Sequence, residues 1–351
     1  MKKILSLVLL LILGAEASVL EEIFNNAEMN GQLRLGAVEI EDEAGENFST
    51  LALGGNLGVK TKAINGVSLG STLYSTNALF GKNEEGMFLD FKRESYSILG
   101  EAYVQAMVGK TSIKAGRQIL DTPYADSDDI GMIPNTFEGF SVMSQELKDT
   151  TIVLASLDKW SGVDSAVPEK FNKMQNSGDA VLTAGVIYEG IENTTLQGWH
   201  YKLDDGDFNY LEAGYEREKF NLGVQYTDQE NDNSAFGLRG ELNMGDLVLS
   251  TAYNKVKGVV SNGFGGGPFF TSAEDHTIEI EERDEEGILV GAEYSLEKLT
   301  LAFVHANFEK GENDTDYIVN YAVNNKYNLD LIYSDMYDDG TMVRFFANYN
   351  F

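Results

Sequence analysis

Apolar and polar side chains change places at every second position in one short segment after another, from Gly31 to the end of the chain. Near the C-terminus, Val343, Phe345, Ala347, Tyr349 and Phe351 share one parity, while Arg344, Asn348 and Asn350 share the other. In "KFNLGVQYTD" the split is Phe220, Leu222, Val224 and Tyr226 against Asn221, Gly223, Gln225 and Thr227. A period of two places alternate residues on opposite faces of a strand, and a helix cannot use it. Eighteen such segments can be counted, from 30–39 to 341–351.

The connections alternate as well. Tight turns at Asn65-Gly66, Gly109-Lys110, Lys148-Asp149, Gly245-Asp246 and Asn325-Lys326 take turns with long polar loops such as 79–95, 119–136, 159–179 and 257–286. An even strand count with one short-turn end and one long-loop end is the pattern of an outer-membrane barrel. A periplasmic β-sandwich also alternates, so the choice rests on three details. Apolar faces recur on nearly every strand with no helix to cover them. Aromatic pairs such as Phe220 and Tyr226, or Tyr327 and Tyr333, bracket those faces at the spacing of a lipid band. Finally, an alternating strand ends on Phe351, with Tyr349 two positions before it, and this resembles the signal read by the barrel assembly machinery. The expected fold is therefore all-β: a transmembrane antiparallel β-barrel of about eighteen strands with a long third loop folded into the lumen.

Lys2 and Lys3 precede an apolar run from Ile4 to Leu13, and Ala15-Glu16-Ala17 offers small residues for a signal peptidase. Residues 1–17 read as a signal peptide, because the apolar run falls well short of the roughly 20 residues a spanning helix needs. Residues 18–29 then form a short periplasmic lead-in and 30–351 the barrel. The chain has no Cys, which excludes disulfides, thiolate metal sites and a Cys nucleophile. With 56 acidic against 26 basic residues and a net charge of −30, it would repel nucleic acid. The three histidines have no nucleophile motif such as G-x-S-x-G beside them, so no catalytic residues are expected.

Eighteen strands enclose a lumen too wide for side chains to fill, so a constriction is needed. The best candidate is "GRQILDTPYADSDDIGMIPNTFEG", which holds two of the four prolines together with Asp121, Asp126, Asp128 and Asp129. Its prolines forbid regular ladder pairing. Alternation turns Arg34 and Arg344 inward on the first and last strands, and makes Lys60, Lys114 and Arg239 further inward bases. Opposed rows of acid and base would orient dipolar solutes, although the bases could equally just solvate the wall.

The stretch Gly116-Arg117-Gln118, then Thr122-Pro123, then Met132-Ile133-Pro134-Asn135-Thr136-Phe137-Glu138-Gly139 resembles the third-loop region of the OprD-like outer-membrane porins. The resemblance implies an eighteen-stranded channel, often a homotrimer, narrowed by its third loop and lined by arginines that guide carboxylated solutes. With seven Arg in all, this chain departs from a long basic ladder.

The remaining acids gather in loops, among them Glu279, Glu281, Glu282, Asp284, Asp314, Asp316 and Asp339. They are expected to form a solvated rim that draws cations inward. Divalent ions could bridge them to one another or to lipopolysaccharide. "DSDD" and "ENDTD" offer oxygen ligands suited to calcium, without matching an EF-hand, and no dedicated metal site or cofactor is assigned. "GFGGGPFF" (263–270) reads as a flexible outer loop. These features point to an outer-membrane porin for small hydrophilic solutes such as cations, amino acids or small peptides, in contact with the lipid bilayer. The alternative is a structural or adhesive barrel whose acidic loops bind an envelope or host partner.

Overall fold

The computed structural model describes residues 25–83, 87–165, 167–204, 206–278, 284–310 and 313–351. The signal-peptide assignment lies outside these residues, as do Glu279, Glu281 and Glu282. The strands are β1 Glu28–Glu41, β2 Asn47–Lys60, β3 Val67–Gly81, β4 Tyr96–Val108, β5 Thr111–Gln118, β6 Thr136–Ser144, β7 Thr150–Ser161, β8 Asn172–Lys173 and β9 Val181–Ile191. They continue as β10 Thr194–Leu203, β11 Gly206–Arg217, β12 Phe220–Gln229, β13 Asn233–Met244, β14 Leu247–Lys257 and β15 Glu286–Leu296. The last four are β16 Leu299–Phe308, β17 Asp314–Ala322, β18 Tyr327–Asp335 and β19 Thr341–Asn350. The two-residue β8 is an insert that pairs with the end of β7, and β7 itself continues to β9. The other eighteen strands form the wall.

Each wall strand pairs antiparallel with its sequence neighbour, and β1 pairs with β19, from Gln32 opposite Asn350 to Glu41 opposite Thr341. The sheet therefore closes and leaves no edge, which satisfies the strand backbone within a membrane. Closure reaches the last residue. Gly31 N donates to Phe351 O at 3.1 Å and Phe351 N donates back to Gly31 O at 3.0 Å. The Phe351 ring lies over Gly31, where an added Cβ would stand 2.5 Å from Cζ.

Alternation sorts the two faces. Leu33, Leu53, Leu57, Leu211, Leu222, Tyr226 and Leu331 are exposed on the outside, as a lipid-facing wall requires. The opposite parity carries Arg34, Gln225, Thr227 and Arg344, all buried. Tight turns use the backbone that hairpins demand: Asn65 has φ 50° and Gly66 φ 80°, which suits a two-residue connection.

Among the described residues no second sheet packs on the inner face, so apolar burial there draws on the loops. Tyr124 and Leu120 cluster with Phe137, Trp199, Tyr201 and Tyr210. Phe88, Met132 and Ile133 cluster with Val38, Tyr74 and Phe346. Phe269 and Ile278 cluster with Val256, Leu289 and Phe308. Segment 258–278 is thus docked, and the expectation of a flexible outer loop at 263–270 is corrected. Phe264 N donates to Tyr124 O at 3.0 Å, and Asp126 N donates to Phe264 O at 3.1 Å. Gly263, at φ +80°, sits where a Cβ would stand 2.5 Å from the carbonyl oxygen of Tyr124. Its glycines allow this close approach of two backbones.

Candidate functional site

The four loop aspartates do different work. Asp121 accepts from Ser127 N at 3.1 Å and from Ser127 Oγ at 2.7 Å, closing a turn within its own loop. Asp126 accepts from Asp128 N at 3.0 Å. Asp129 forms a two-pronged pair with Arg34, Nη1 to Oδ1 and Nη2 to Oδ2, each 2.8 Å. Arg34 also donates to Gly131 O at 2.6 Å and, through Nε, to Asn348 at 2.9 Å. At the other end of the loop, Tyr124 donates to Thr227 Oγ1 on β12 at 2.6 Å, and Gln229 donates to the Tyr124 hydroxyl at 3.2 Å. The segment between β5 and β6 is therefore tied to inward-facing residues of both β1 and β12.

Arg344 behaves differently from Arg34. It is fully buried, and its Nη2 donates to Glu274 at 3.1 Å and to Asp275 at 3.0 Å, both on the segment between β14 and β15. Arg239 reaches Glu212 at 3.3 Å, with its guanidinium 4.7 Å from the centre of the Phe270 ring. Lys114 lies 4.8 Å from the Tyr103 ring centre, and Lys60 is exposed at the end of β2. All five bases share the inward parity, but they do not form one row facing the four aspartates. Among the described residues, Arg34 is the one of the five that hydrogen-bonds any of them.

The expected solvated rim also needs correction. Asp314 and Asp316 are completely buried. The segment that carries Glu274 covers them: Asp316 Oδ2 accepts from Glu274 N at 3.0 Å, and Asp314 Oδ2 accepts from His276 N at 3.2 Å. Backbone N–H groups reward such placement, since a carboxylate is their strongest acceptor.

Crowding of acids shifts protonation in the loops. Burial, followed by the charges of Asp164, Asp126, Glu274 and Asp129, pushes Asp128 up to about 7. Burial raises Asp126, opposed by the Asp128 amide. It also raises Asp164, opposed by Asn135, and Glu274, opposed by Arg344. Two cavities flank this cluster. One of about 640 Å³ is bordered by Asp121, Trp199, Glu212, Arg239 and Phe270, and one of about 770 Å³ by Asp128, Asp164, Glu274, His276 and Asp339. Asp126 borders both.

A family model for the outer-membrane porins of the OprD family matches residues 56–264. The chain belongs to that family. Solved structures agree in fold. OpdK from Pseudomonas aeruginosa, solved with vanillate, superposes with a TM-score of 0.81 at 18% identity, covering 94% of this chain and 99% of its own. OccK8 (OprE) from the same organism gives 0.79 at 16% identity, covering 93% and 98%. A BenF-like porin from Pseudomonas fluorescens Pf-5 gives 0.78 at 17% identity, covering 93% and 98%. None of the curated proteins matches the sequence. This OprD-family porin is a protein of the cell outer membrane, where its exposed strand faces meet the bilayer.

Sequence reasoning missed several groups of this porin. Glu138 on β6 binds Arg117 at 3.1 Å and Lys159 at 2.9 Å, and Arg117 stacks 4.2 Å from the Phe171 ring centre. Glu138 shares the parity of the exposed Phe140, and a register shift between Glu138 and Gly139 breaks the alternation there, so parity could not have found its buried place. Nothing in the sequence distinguished Glu274 and Asp275 from their acidic neighbours.

Proposed function

We propose that this porin is a passive diffusion channel for small hydrophilic solutes, favouring cations, amino acids and small peptides, with a width set by residues 119–136. One observation carries the reading: Asp129 meets Arg34 on β1 while Tyr124 meets Thr227 on β12, so the acidic loop engages well-separated parts of the inner wall. The preference follows from charge. Arg34 and Arg344, the bases best placed to attract a carboxylate such as the vanillate held by OpdK, are already neutralised by Asp129, Glu274 and Asp275. Asp126, Asp128 and Asp164 outnumber the bases beside them and favour cations on entry. Lipopolysaccharide contact through the acidic loops, handling by the barrel assembly machinery through Phe351, and a homotrimeric assembly implied by the family resemblance are further parts of the proposal.

The test is single-channel recording in a planar bilayer across a salt gradient, with wild type compared against the combined Asn substitution of Asp121, Asp126, Asp128 and Asp129. Wild type should conduct in steps with a cation-selective reversal potential, and the variant should lose much of that selectivity. Unchanged selectivity would remove the loop from the pore.

A further inference from the structure

Among the described residues, Asp275, Asp314 and Asp316 each present an oxygen, and these three atoms lie within 4.8 Å of one another. That limit equals the diameter of a calcium–oxygen shell, twice about 2.4 Å. Two of the three acids come from β17 and one from the segment between β14 and β15, so the cluster joins wall to loop. Several oxygens have partners. Asp316 Oδ1 accepts from Ser334 at 2.7 Å and its Oδ2 from Glu274 N; Asp314 Oδ2 accepts from the amides of Asp275 and His276; Asp275 Oδ2 accepts from Arg344.

An independent observation concerns Asp314. Its side chain is completely buried, and among the described residues Oδ1 has no hydrogen-bond partner. A carboxylate oxygen withdrawn from water with nothing to receive is costly, and a buried charge persists only when paired or bound to a cation. Among the described residues, nearby protein charges do not supply the balance. Glu274, Asp275, Asp314, Asp316 and Asp339 stand against Arg344 and, at most, a protonated His276 lying 3.6 Å from Asp314 and 3.2 Å from Asp339.

We propose that Asp275, Asp314 and Asp316 bind a divalent cation of the calcium type, with Asp314 Oδ1 as the oxygen the fold has left for it. The ligands are hard carboxylate oxygens with no sulfur and no imidazole among the three, which suits calcium over zinc or copper. Water would complete the shell. Bound there, the ion fastens segment 258–278 to β17, and through Gly263 and Phe264 it steadies the backbone of the loop that carries Asp126. The site does not depend on the transport reading, because its test measures binding and not conduction.

Full-length porin in detergent, freed of metal with EDTA, is titrated with CaCl₂ by calorimetry and by circular-dichroism melting. The expected result is one saturable site with a dissociation constant on the order of 0.1–1 mM, as for extracellular calcium modules, together with a rise in melting temperature. Asp316→Asn and Asp275→Asn should each weaken binding about tenfold or more, while Asp232→Asn, in the β12–β13 connection, should leave it unchanged. If Asp316→Asn does not fold, Asp275→Asn carries the test, since Asp275 lies on a loop. The proposal is overturned by wild-type protein without saturable binding. It is equally overturned by binding that survives Asp275→Asn, or by binding that Asp232→Asn weakens as much, which would mean diffuse screening of acidic loops.

Discussion

Replacing Asp129 with Asn removes the charge from the contact that ties the Pro-containing loop to β1. Arg34 grips Asp129 with two bonds of 2.8 Å, and it keeps Gly131 O and Asn348 whether or not Asp129 is charged. A hydrogen bond to a charged group contributes about 1.5–3 kcal/mol net. The Asp129 side chain is 45% exposed, so water competes for it and the pair is discounted towards a surface ion pair. Loss of the charge should then cost about 1–2 kcal/mol of loop docking, or a roughly 5–30-fold rise in the undocked population. Hydrogen exchange read by mass spectrometry on the peptide spanning 119–136 reports that population directly. Arg34→Gln, which also gives up the bonds to Gly131 O and Asn348, should speed exchange at least as much, and adding Asp129→Asn to it should change little, because the pair is already gone. Channel recording separates the two: Asp129→Asn lowers cation preference, whereas Arg34→Gln raises it. Exchange in 119–136 that matches wild type in both variants would refute the reasoning.

Asp128, pushed up to about 7 by burial and its acidic neighbours, should carry its full charge only above that pH. Cation selectivity in bilayer recordings should therefore climb as pH rises through about 7, and Asp128→Asn should flatten that climb. Gly263→Ala places a Cβ at φ +80° and 2.5 Å from Tyr124 O. The strain of about 1–3 kcal/mol should loosen 119–136 and 258–278 together in hydrogen exchange, with the β1–β19 seam unaffected. Phe351→Ala removes the ring that covers Gly31 and lies tilted 5.8 Å from the Tyr349 ring, and it should lower the yield of heat-modifiable folded barrel in gel assays of outer membranes.

Much of the wall was legible because its cause is local. A strand with lipid on one side and water or loop on the other must alternate, so Leu222, Val224 and Tyr226 reported their face by parity alone. The same parity turned Arg34, Arg344, Arg239, Lys114 and Lys60 inward without any knowledge of the neighbouring strands. Parity gives a face and nothing about a partner. For that reason Arg34 and Arg344, alike in sequence, meet acids from two different loops. Loops have no period to read, and 263–270, rich in glycine, resembled a free tether. Those glycines in fact serve a backbone-to-backbone contact with residues 124–126, across more than a hundred positions of sequence.

The sequence by itself determined the barrel, the inward placement of the charged side chains and the family, since each is written in local alternation or in one contiguous stretch. Tertiary structure alone decided which acid faces which base, that Asp314 and Asp316 are buried together, and that two loops lock through Tyr124 and Phe264. The physical reason is distance: alternation is enforced at every strand residue by its own two surroundings, whereas pairings between loops depend on where the closed sheet happens to deliver them.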